Sequence, residues 1–434
     1  MKSSKSQNIA KSIIASSVGN ILEWYEYMIY AYFTSVIGAL FFPLENKFIG
    51  TLLAFATFAI GLAARPIGGI IFGYIGDKYS RKKMLTITMF LMSVPTLCIG
   101  LLPTYEQIGI LAPILLVLFR MTQGIALGGE FGASCVYLYE SVPHHKRGFY
   151  GSLALTGVGF GLILSSLTIL TVESLATKEQ VYSFAWRIPF FISVLGGIVA
   201  FYMRLNLLES IDFNKIKETS KLVRNPFFEM LKNHKATLAN LFGIFLTTQV
   251  AFFVVFVFGK TMMIDFLHFD TKTANVFSLI TVISYTISTV VFGYLSDKIN
   301  RRHIILVGVI IMFVSAHPFI MALASGNALH ILTMCILFGT LMGMTEGTLN
   351  PLVASSFPTN IRATSVAFCW NFTSIAFGGA APIISMWLID TAGSVEAIAY
   401  YFMTVCSVTI TTLICSVIRR KQLSTLGRRQ ANII

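Results

Sequence analysis

The sequence predicts an all-α membrane protein: twelve transmembrane helices in two pseudo-symmetric six-helix bundles. Three observations carry this. Of the 434 residues, 55% are hydrophobic and only 12% charged, where a soluble globular chain carries about 25% charged residues. The apolar runs reach about 20 residues or more, enough at 1.5 Å per helical residue to cross the roughly 30 Å hydrocarbon core. The hairpin FGYIGDKYSRKK, residues 72–83, returns 220 positions later as FGYLSDKINRRH, residues 292–303.

Helices suit lipid because each closes its own backbone hydrogen bonds. The spans fall at about 14–42, 50–75, 84–102, 108–139, 149–172, 186–207, 238–266, 274–296, 304–325, 329–354, 364–390 and 396–418. The polar, lysine-bearing N-terminus runs straight into a long span, which is not the form of a cleavable signal. The longest polar segment splits the spans six and six. It defines an N-terminal bundle, 1–207, a basic cytoplasmic linker lying along the membrane surface, 208–237, a C-terminal bundle, 238–418, and a short cytoplasmic tail, 419–434. A second landmark supports the division: Pro143 and Arg147 match Pro358 and Arg362 at an offset of 215. Two landmarks at nearly one offset indicate a duplicated unit. An even number of spans per copy keeps both in one orientation, with the substrate site between them near the midplane.

The net charge of +13 invites a nucleic-acid reading, but its distribution excludes one. Of the 32 Lys and Arg, 25 fall in segments on one side: the N-terminal tail, the 76–83, 143–148 and 297–303 loops, the 204–237 stretch, Arg362 and the C-terminal tail. That asymmetry places both termini in the cytoplasm. The six cysteines lie within spans, without CxxC pairs or ligand-like histidine spacing, and read as inert buried thiols. No cofactor, metal or enzymatic constellation is expected. Each hairpin is the tight turn between the second and third spans of its half. Asp77 and Asp297 read as helix-capping acids, or as partners of a helix end that moves during transport. Gly73, Arg81, Arg301, Arg147 and Arg362 belong to the same gating set. The plainer alternative is a positive-inside turn and nothing more.

The run G-x-x-x-D-K-x-S-R-K from Gly73 resembles the loop signature of the major facilitator superfamily, with Ser80 and Asn300 standing where that pattern has Gly. EWYEY (23–27), ARPIGGIIFG (64–73), RMTQGIALGGEFGA (120–133), PHHKRGFYGS (143–152) and WRIPFF (186–191) are similar to the metabolite:proton symporter family within it. That family includes proline/betaine transporters and carriers of 2-oxoglutarate, citrate and shikimate. It usually has Asp where Glu26 stands. The resemblance implies a bacterial inner-membrane, multi-pass symporter whose partners are its substrate, protons and the lipid bilayer, with no nucleic acid, and which acts as a monomer.

Charges deep in a membrane are costly, about 2.5–3.5 kcal/mol each at the centre of a span, and so mark function. Asn20, Glu23, Tyr27 and Tyr30 recur at helical spacing as one polar stripe, with Glu26 flanking Glu23. Two carboxylates so close in a low-dielectric cavity do not both ionise easily, and one is expected to hold a proton. The alternative is a structural bridge to an arginine. In the fourth span, Arg120 and Glu130 stand about 15 Å apart along the axis and each needs another partner. Arg120 and Gln123 begin a run that resembles the superfamily's R-x-x-Q-G motif, whose arginine is linked to proton transfer; its planar fork also suits a substrate carboxylate. Glu346 lies near the counterpart of Glu130 and reads as half of a coupling or gating layer. Arg65 is either a gate contact or a side chain snorkelling to the loop. Tyr27, Tyr30, Trp370 and Phe372 are aromatic candidates for an onium cage, with Asn371 as a polar neighbour. These groups are expected to face a wet crevice between the bundles.

The expected function is proton-coupled import by rocker-switch alternating access. Four midplane acids against one base, Arg120, suit a zwitterion such as proline or betaine; a dicarboxylate or α-keto acid such as 2-oxoglutarate is the alternative, and a solute-sensing receptor a distant one. Osmosensing relatives carry a long coiled-coil tail, whereas this chain ends 16 residues past its last span, so transport without tail-based osmotic control is expected.

Overall fold

A computed structural model describes residues 2–43, 47–206, 209–210, 213–214, 223 and 225–431. Much of the proposed linker between 208 and 224, including 215–222, therefore lies outside the described residues. Eleven helices among them are long and apolar enough to cross a membrane. The first, α1 (Lys2–Tyr32), is continued by Thr34–Phe41 and completes twelve. It falls short on apolarity because it carries Asn20, Glu23, Glu26 and four tyrosines.

The remaining spans are α2 (Lys47–Lys78), α3 (Arg81–Leu101), α4 (Leu111–Glu140), α5 (Arg147–Leu175) and α6 (Ile188–Leu205) in the first half. In the second they are α7 (Lys235–Ile264), α8 (Thr271–Leu295), α9 (Arg301–Ala324), α10 (Ala328–Ser355), α11 (Arg362–Ala392) and α12 (Glu396–Ile418). The closest packing within each half is α2 on α4 and, equivalently, α8 on α10. Across the halves α2 meets α11 and α5 meets α8, one contact being the image of the other under the internal duplication.

The hairpins show how the sequence stops and restarts a helix. Ser80 Oγ accepts from Lys83 N at 3.0 Å and Asn300 Oδ1 from Arg302 N at 3.0 Å, capping α3 and α9. Ser80 is extended (φ −175°) and Asn300 has φ −59°. Neither position needs the left-handed conformation that favours glycine, so the departure from the family's Gly leaves both turns unstrained and adds a cap. Two spans widen locally into π-helical turns, α7 at Phe253–Phe258 and α11 at Ser374–Gly379.

One expectation is corrected at this level. Arg204 belongs with the loop cations by sequence, yet it is fully buried (0% exposed) near the end of α6. It pairs with Glu130 and donates to Leu85 O at 2.8 Å, so α4, α6 and α3 meet on one guanidinium.

Candidate functional site

The polar stripe of α1 divides its tasks. Asn20 donates to Ala154 O of α5 at 3.1 Å and ties two helices together. Glu26 points into the first bundle, where Ser193 of α6 and Thr96 of α3 donate to its two oxygens at 2.6 and 2.8 Å. Glu23 is buried with neither carboxylate oxygen hydrogen-bonded. Arg65 of α2 is within its electrostatic reach. At 3% exposure, Arg65 neither snorkels to the loop nor joins the hairpin gate; it belongs to the central charge cluster.

Arg120 has found rings instead of an acid. Its guanidinium lies 4.2 Å from the centre of the Tyr30 ring and 5.3 Å from those of Tyr27 and Phe58. Nη1 donates to Gln123 Oε1 at 2.8 Å. Among the described residues no carboxylate is within ion-pairing distance of it, so the bridge to Glu23 or Glu26 is not formed. The cage expected from Tyr27 and Tyr30 is thus occupied by the protein's own cation, an arrangement worth about 2 kcal/mol where desolvated.

A second ring cluster spans the halves. Trp24 meets Phe252 edge-on at 5.6 Å, Phe131 meets Trp370 at 4.9 Å, and Trp370 meets Phe245 at 4.8 Å. The indole N–H groups of Trp24 and Trp370 are buried without an acceptor. Asn371, expected beside the substrate, instead donates across the seam to Gly128 O at 2.5 Å. Phe372 stacks on Phe242 and Phe368 at the outside of the bundle and is 41% exposed, so it lines no cage.

Glu23, Arg120 and Glu130 are each 1% exposed. In this conformation they are enclosed, so the wet crevice expected around them is not found; the Trp24–Phe252 and Phe131–Trp370 contacts join the two halves nearby. Glu130 and Glu346 do not form a shared layer. Glu130 pairs with Arg204 inside the first bundle, and Glu346 accepts from Tyr285 Oη at 2.7 Å inside the second.

The hairpin end is a polar lock. Asp77 Oδ1 and Oδ2 accept from Ala363 N and Thr364 N at 3.0 and 2.8 Å, capping α11 from the opposite half. Asp297 does the same for α5, accepting from Gly148 N and Phe149 N at 2.5 and 2.9 Å. Gly73 permits the first approach: a Cβ there would sit 2.7 Å from Thr364 Cα. Arg81 binds Asp77 at 2.7 Å and Glu140 at 3.3 Å, and reaches Thr359 O at 2.8 Å across the seam. Arg362 closes the network on Glu140 at 2.7 Å. The linker enters here too: Ser210 Oγ donates to Glu140 at 2.8 Å and the Phe213 ring lies 4.8 Å under Arg81. On the second hairpin Arg301 is 3.9 Å from Asp297 and donates to Pro351 O at 3.0 Å. Arg147 lies 4.6 Å over the Tyr139 ring.

The sequence profile of the Major Facilitator Superfamily matches residues 24–381. The chain belongs to that superfamily. It is 30% identical over 415 residues to the glycine betaine/proline/ectoine/pipecolic acid transporter OusA of Dickeya dadantii, covering 93% of this chain and 82% of the relative. It is 31% identical over 413 residues to the proline/betaine transporter of Escherichia coli K12, with the same coverage of 93% and 82%. Its fold matches the proton:xylose symporter XylE bound to 6-bromo-6-deoxy-D-glucose with a TM-score of 0.77 at 16% identity, covering 94% and 95% of the two chains. As a member of this superfamily the protein is a multi-pass membrane transporter of small solutes and not an enzyme.

Among the positions around these sites that the sequence does not single out are Thr96, Ser193, Glu140 and Arg204, together with Trp24, Phe131 and Phe252 of the ring cluster. Thr96 and Ser193 carry no motif. Arg204 falls within the predicted span 186–207, and that position was its signal. Glu140 stands beside the Pro143 landmark, where the offset of 215 puts Ser355 in the second half.

Proposed function

We propose that this superfamily member is a proton-coupled symporter. It imports a zwitterionic solute such as proline or betaine across the bacterial inner membrane by rocker-switch alternating access. The observation that carries the reading is Arg120: a buried guanidinium with no anion, parked on Tyr30 beside Gln123. A substrate carboxylate supplies the missing anion through the planar fork. The ring cluster of Trp24, Phe131, Phe252 and Trp370 lies next along, since Trp24 also touches Tyr27 at 5.8 Å. Its faces suit the cationic end of a zwitterion. Glu23 and Glu26 carry the proton; Glu130, held by Arg204, is a structural neighbour of that pair more than a carrier. The names of the 30–31% identical relatives agree with this substrate class.

The hairpin end faces the cytoplasm in this reading, with both termini, because it gathers the cations. Asp77, Arg81, Arg362, Asp297 and Arg301 then form the inner gate, closed in the described conformation. The first half ends before the linker and the second begins after it, so the halves rock about the central ring cluster.

Counterflow of radiolabelled proline and glycine betaine in proteoliposomes, with and without a pH jump, tests this. Exchange of either solute, and accumulation only with the proton gradient, is the expected result. A dicarboxylate is the second reading, favoured by one observation: Arg65 joins Arg120 as a second buried cation near the seam. Uptake of 2-oxoglutarate in place of proline selects it, and binding without any counterflow selects a receptor.

A further inference from the structure

Arg120 and Glu26 do not touch, yet an unbroken chain of hydrogen bonds joins them. Arg120 Nη1 donates to Gln123 Oε1 at 2.8 Å, Gln123 Nε2 to Thr96 Oγ1 at 2.7 Å, and Thr96 Oγ1 to Glu26 Oε2 at 2.8 Å. The polarity of this chain is fixed by chemistry. Arginine has only donors, so the amide oxygen of Gln123 must face it and the amide nitrogen must face Thr96. Thr96 therefore accepts from Gln123 for as long as Arg120 is held.

We propose that Thr96 is a positioning residue that ties the protonation of Glu26 to the release of Arg120 for substrate. The inference rests on the symport reading above. One lone pair of the Thr96 hydroxyl is committed to Gln123, which leaves one hydrogen and one lone pair. Two acceptors compete for the hydrogen: Glu26 Oε2, and Met92 O at 2.9 Å one turn back on α3. While Glu26 is ionised it is the stronger acceptor and takes the hydrogen. When Glu26 gains a proton, a new O–H forms on the carboxyl and donates to the free lone pair of Thr96. The Thr96 hydrogen then turns to Met92 O. No other bond is made or broken, and the proton that arrives from water on one side leaves to water on the other.

The two rotor states differ in how hard the chain pulls. Bonds in a row polarise one another. The ionised carboxylate makes Thr96 a better acceptor for Gln123, and Gln123 a better acceptor for Arg120, holding the guanidinium in its place over Tyr30. Protonation relaxes the pull and lets Arg120 turn to a carboxylate. Proton and substrate therefore favour each other, which is what symport requires. The ionisable groups on helices around Glu26 include Glu23, Tyr25, Tyr27 and Tyr30 on α1, Arg65 on α2, Arg120 and Glu130 on α4, and Arg204 on α6; α3 and α5 carry no Asp, Glu, Lys, Arg or His over 84–101 and 148–172.

The test uses the full chain in liposomes with radiolabelled proline and glycine betaine. Thr96→Val removes the hydroxyl and keeps the shape; Thr96→Ser restores the hydroxyl. In wild type, lowering the pH should tighten substrate binding by about two- to threefold, the size of a 10–30% change in a charged hydrogen bond. Thr96→Val should abolish that pH dependence and the gradient-driven accumulation while counterflow persists, and Thr96→Ser should restore both. If Thr96→Val does not fold, Thr96→Ala also lacks the hydroxyl and should show the same loss. A Thr96→Val protein with wild-type pH dependence, or a Thr96→Ser protein as defective as Thr96→Val, overturns the relay and leaves the symport reading standing. A wild type that exchanges neither solute, or accumulates without regard to the gradient, overturns both.

Discussion

Arg362 donates to Glu140 at 2.7 Å and so joins the last turn of α4 to the first turn of α11 across the seam between the halves. Arg81 lies on the other side of the same carboxylate. The internal duplication does not repeat this bridge: Ser355 stands at the position equivalent to Glu140. Both hairpins cap a helix of the opposite half, and among the described residues the first adds a buried acid, Glu140, between two arginines. The lock at the hairpin end is asymmetric, and most of its charge sits on one side.

Glu140→Gln leaves Arg81 and Arg362 buried without their shared anion. Removing one member of a buried ion pair costs about 3–5 kcal/mol. The purified variant is expected to melt lower in detergent, and cysteines placed at the seam beside Thr359 should label faster from the hairpin side. Unchanged melting and labelling would remove Glu140 from the lock.

The asymmetry predicts unequal effects of one chemical change. Asp77 holds two backbone N–H groups and Arg81 at 2.7 Å, whereas Asp297 holds two N–H groups with Arg301 at 3.9 Å. Each cap is worth about 0.5–2 kcal/mol, and the close arginine adds to the first only. Asp77→Asn should therefore lower stability and slow uptake more than Asp297→Asn. Equal losses in parallel melting and uptake assays count against the unequal lock.

Arg120→Lys keeps the charge and loses the planar fork and the flat stack on Tyr30. Substrate binding should weaken by about one to two orders of magnitude, in line with a lost charged hydrogen-bond pair of 1.5–3 kcal/mol. The protein should still fold, since no acid among the described residues pairs with Arg120. Equilibrium binding of labelled proline, compared with the melting curve, separates the two effects; undiminished affinity would take Arg120 out of the site.

Glu26→Gln keeps both hydroxyl contacts, from Ser193 and Thr96, but cannot ionise. It should exchange solute in counterflow at any pH and fail to accumulate it on a proton gradient. Accumulation like that of wild type would remove Glu26 from coupling.

The sequence made the architecture readable because lipid forces it: long apolar runs, a repeated hairpin and one-sided cations leave little freedom. The hairpin acids were legible for the same reason, since G-x-x-x-D needs a close helix end to cap. What pairs with what inside the bundles was not legible. Tyr27 and Tyr30 read as an onium cage because spacing shows which residues share a face but not which cation fills it. Asn371 read as a site residue because a polar group in a span has no address until the helix across from it, here at Gly128, is known. Arg204 was lost to the loop because long side chains near a span end commonly reach water; this one turns inward to Glu130.

That inward turn depends on a residue with no chemistry of its own. Gly19 of α1 faces Arg204 so closely that an added Cβ would overlap the guanidinium. Gly19→Ala should push Arg204 off Glu130 and leave both charges buried and unpaired, among the more costly single changes open to a core. The alternative is that alanine merely crowds the α1–α6 packing. A double-mutant cycle distinguishes them. In an Arg204→Met/Glu130→Gln background, which has no charges to separate and a flexible side chain facing residue 19, Gly19→Ala should cost far less than in the wild type. An equal cost in both backgrounds, read from detergent melts, would mean that Gly19 serves helix packing and not the ion pair.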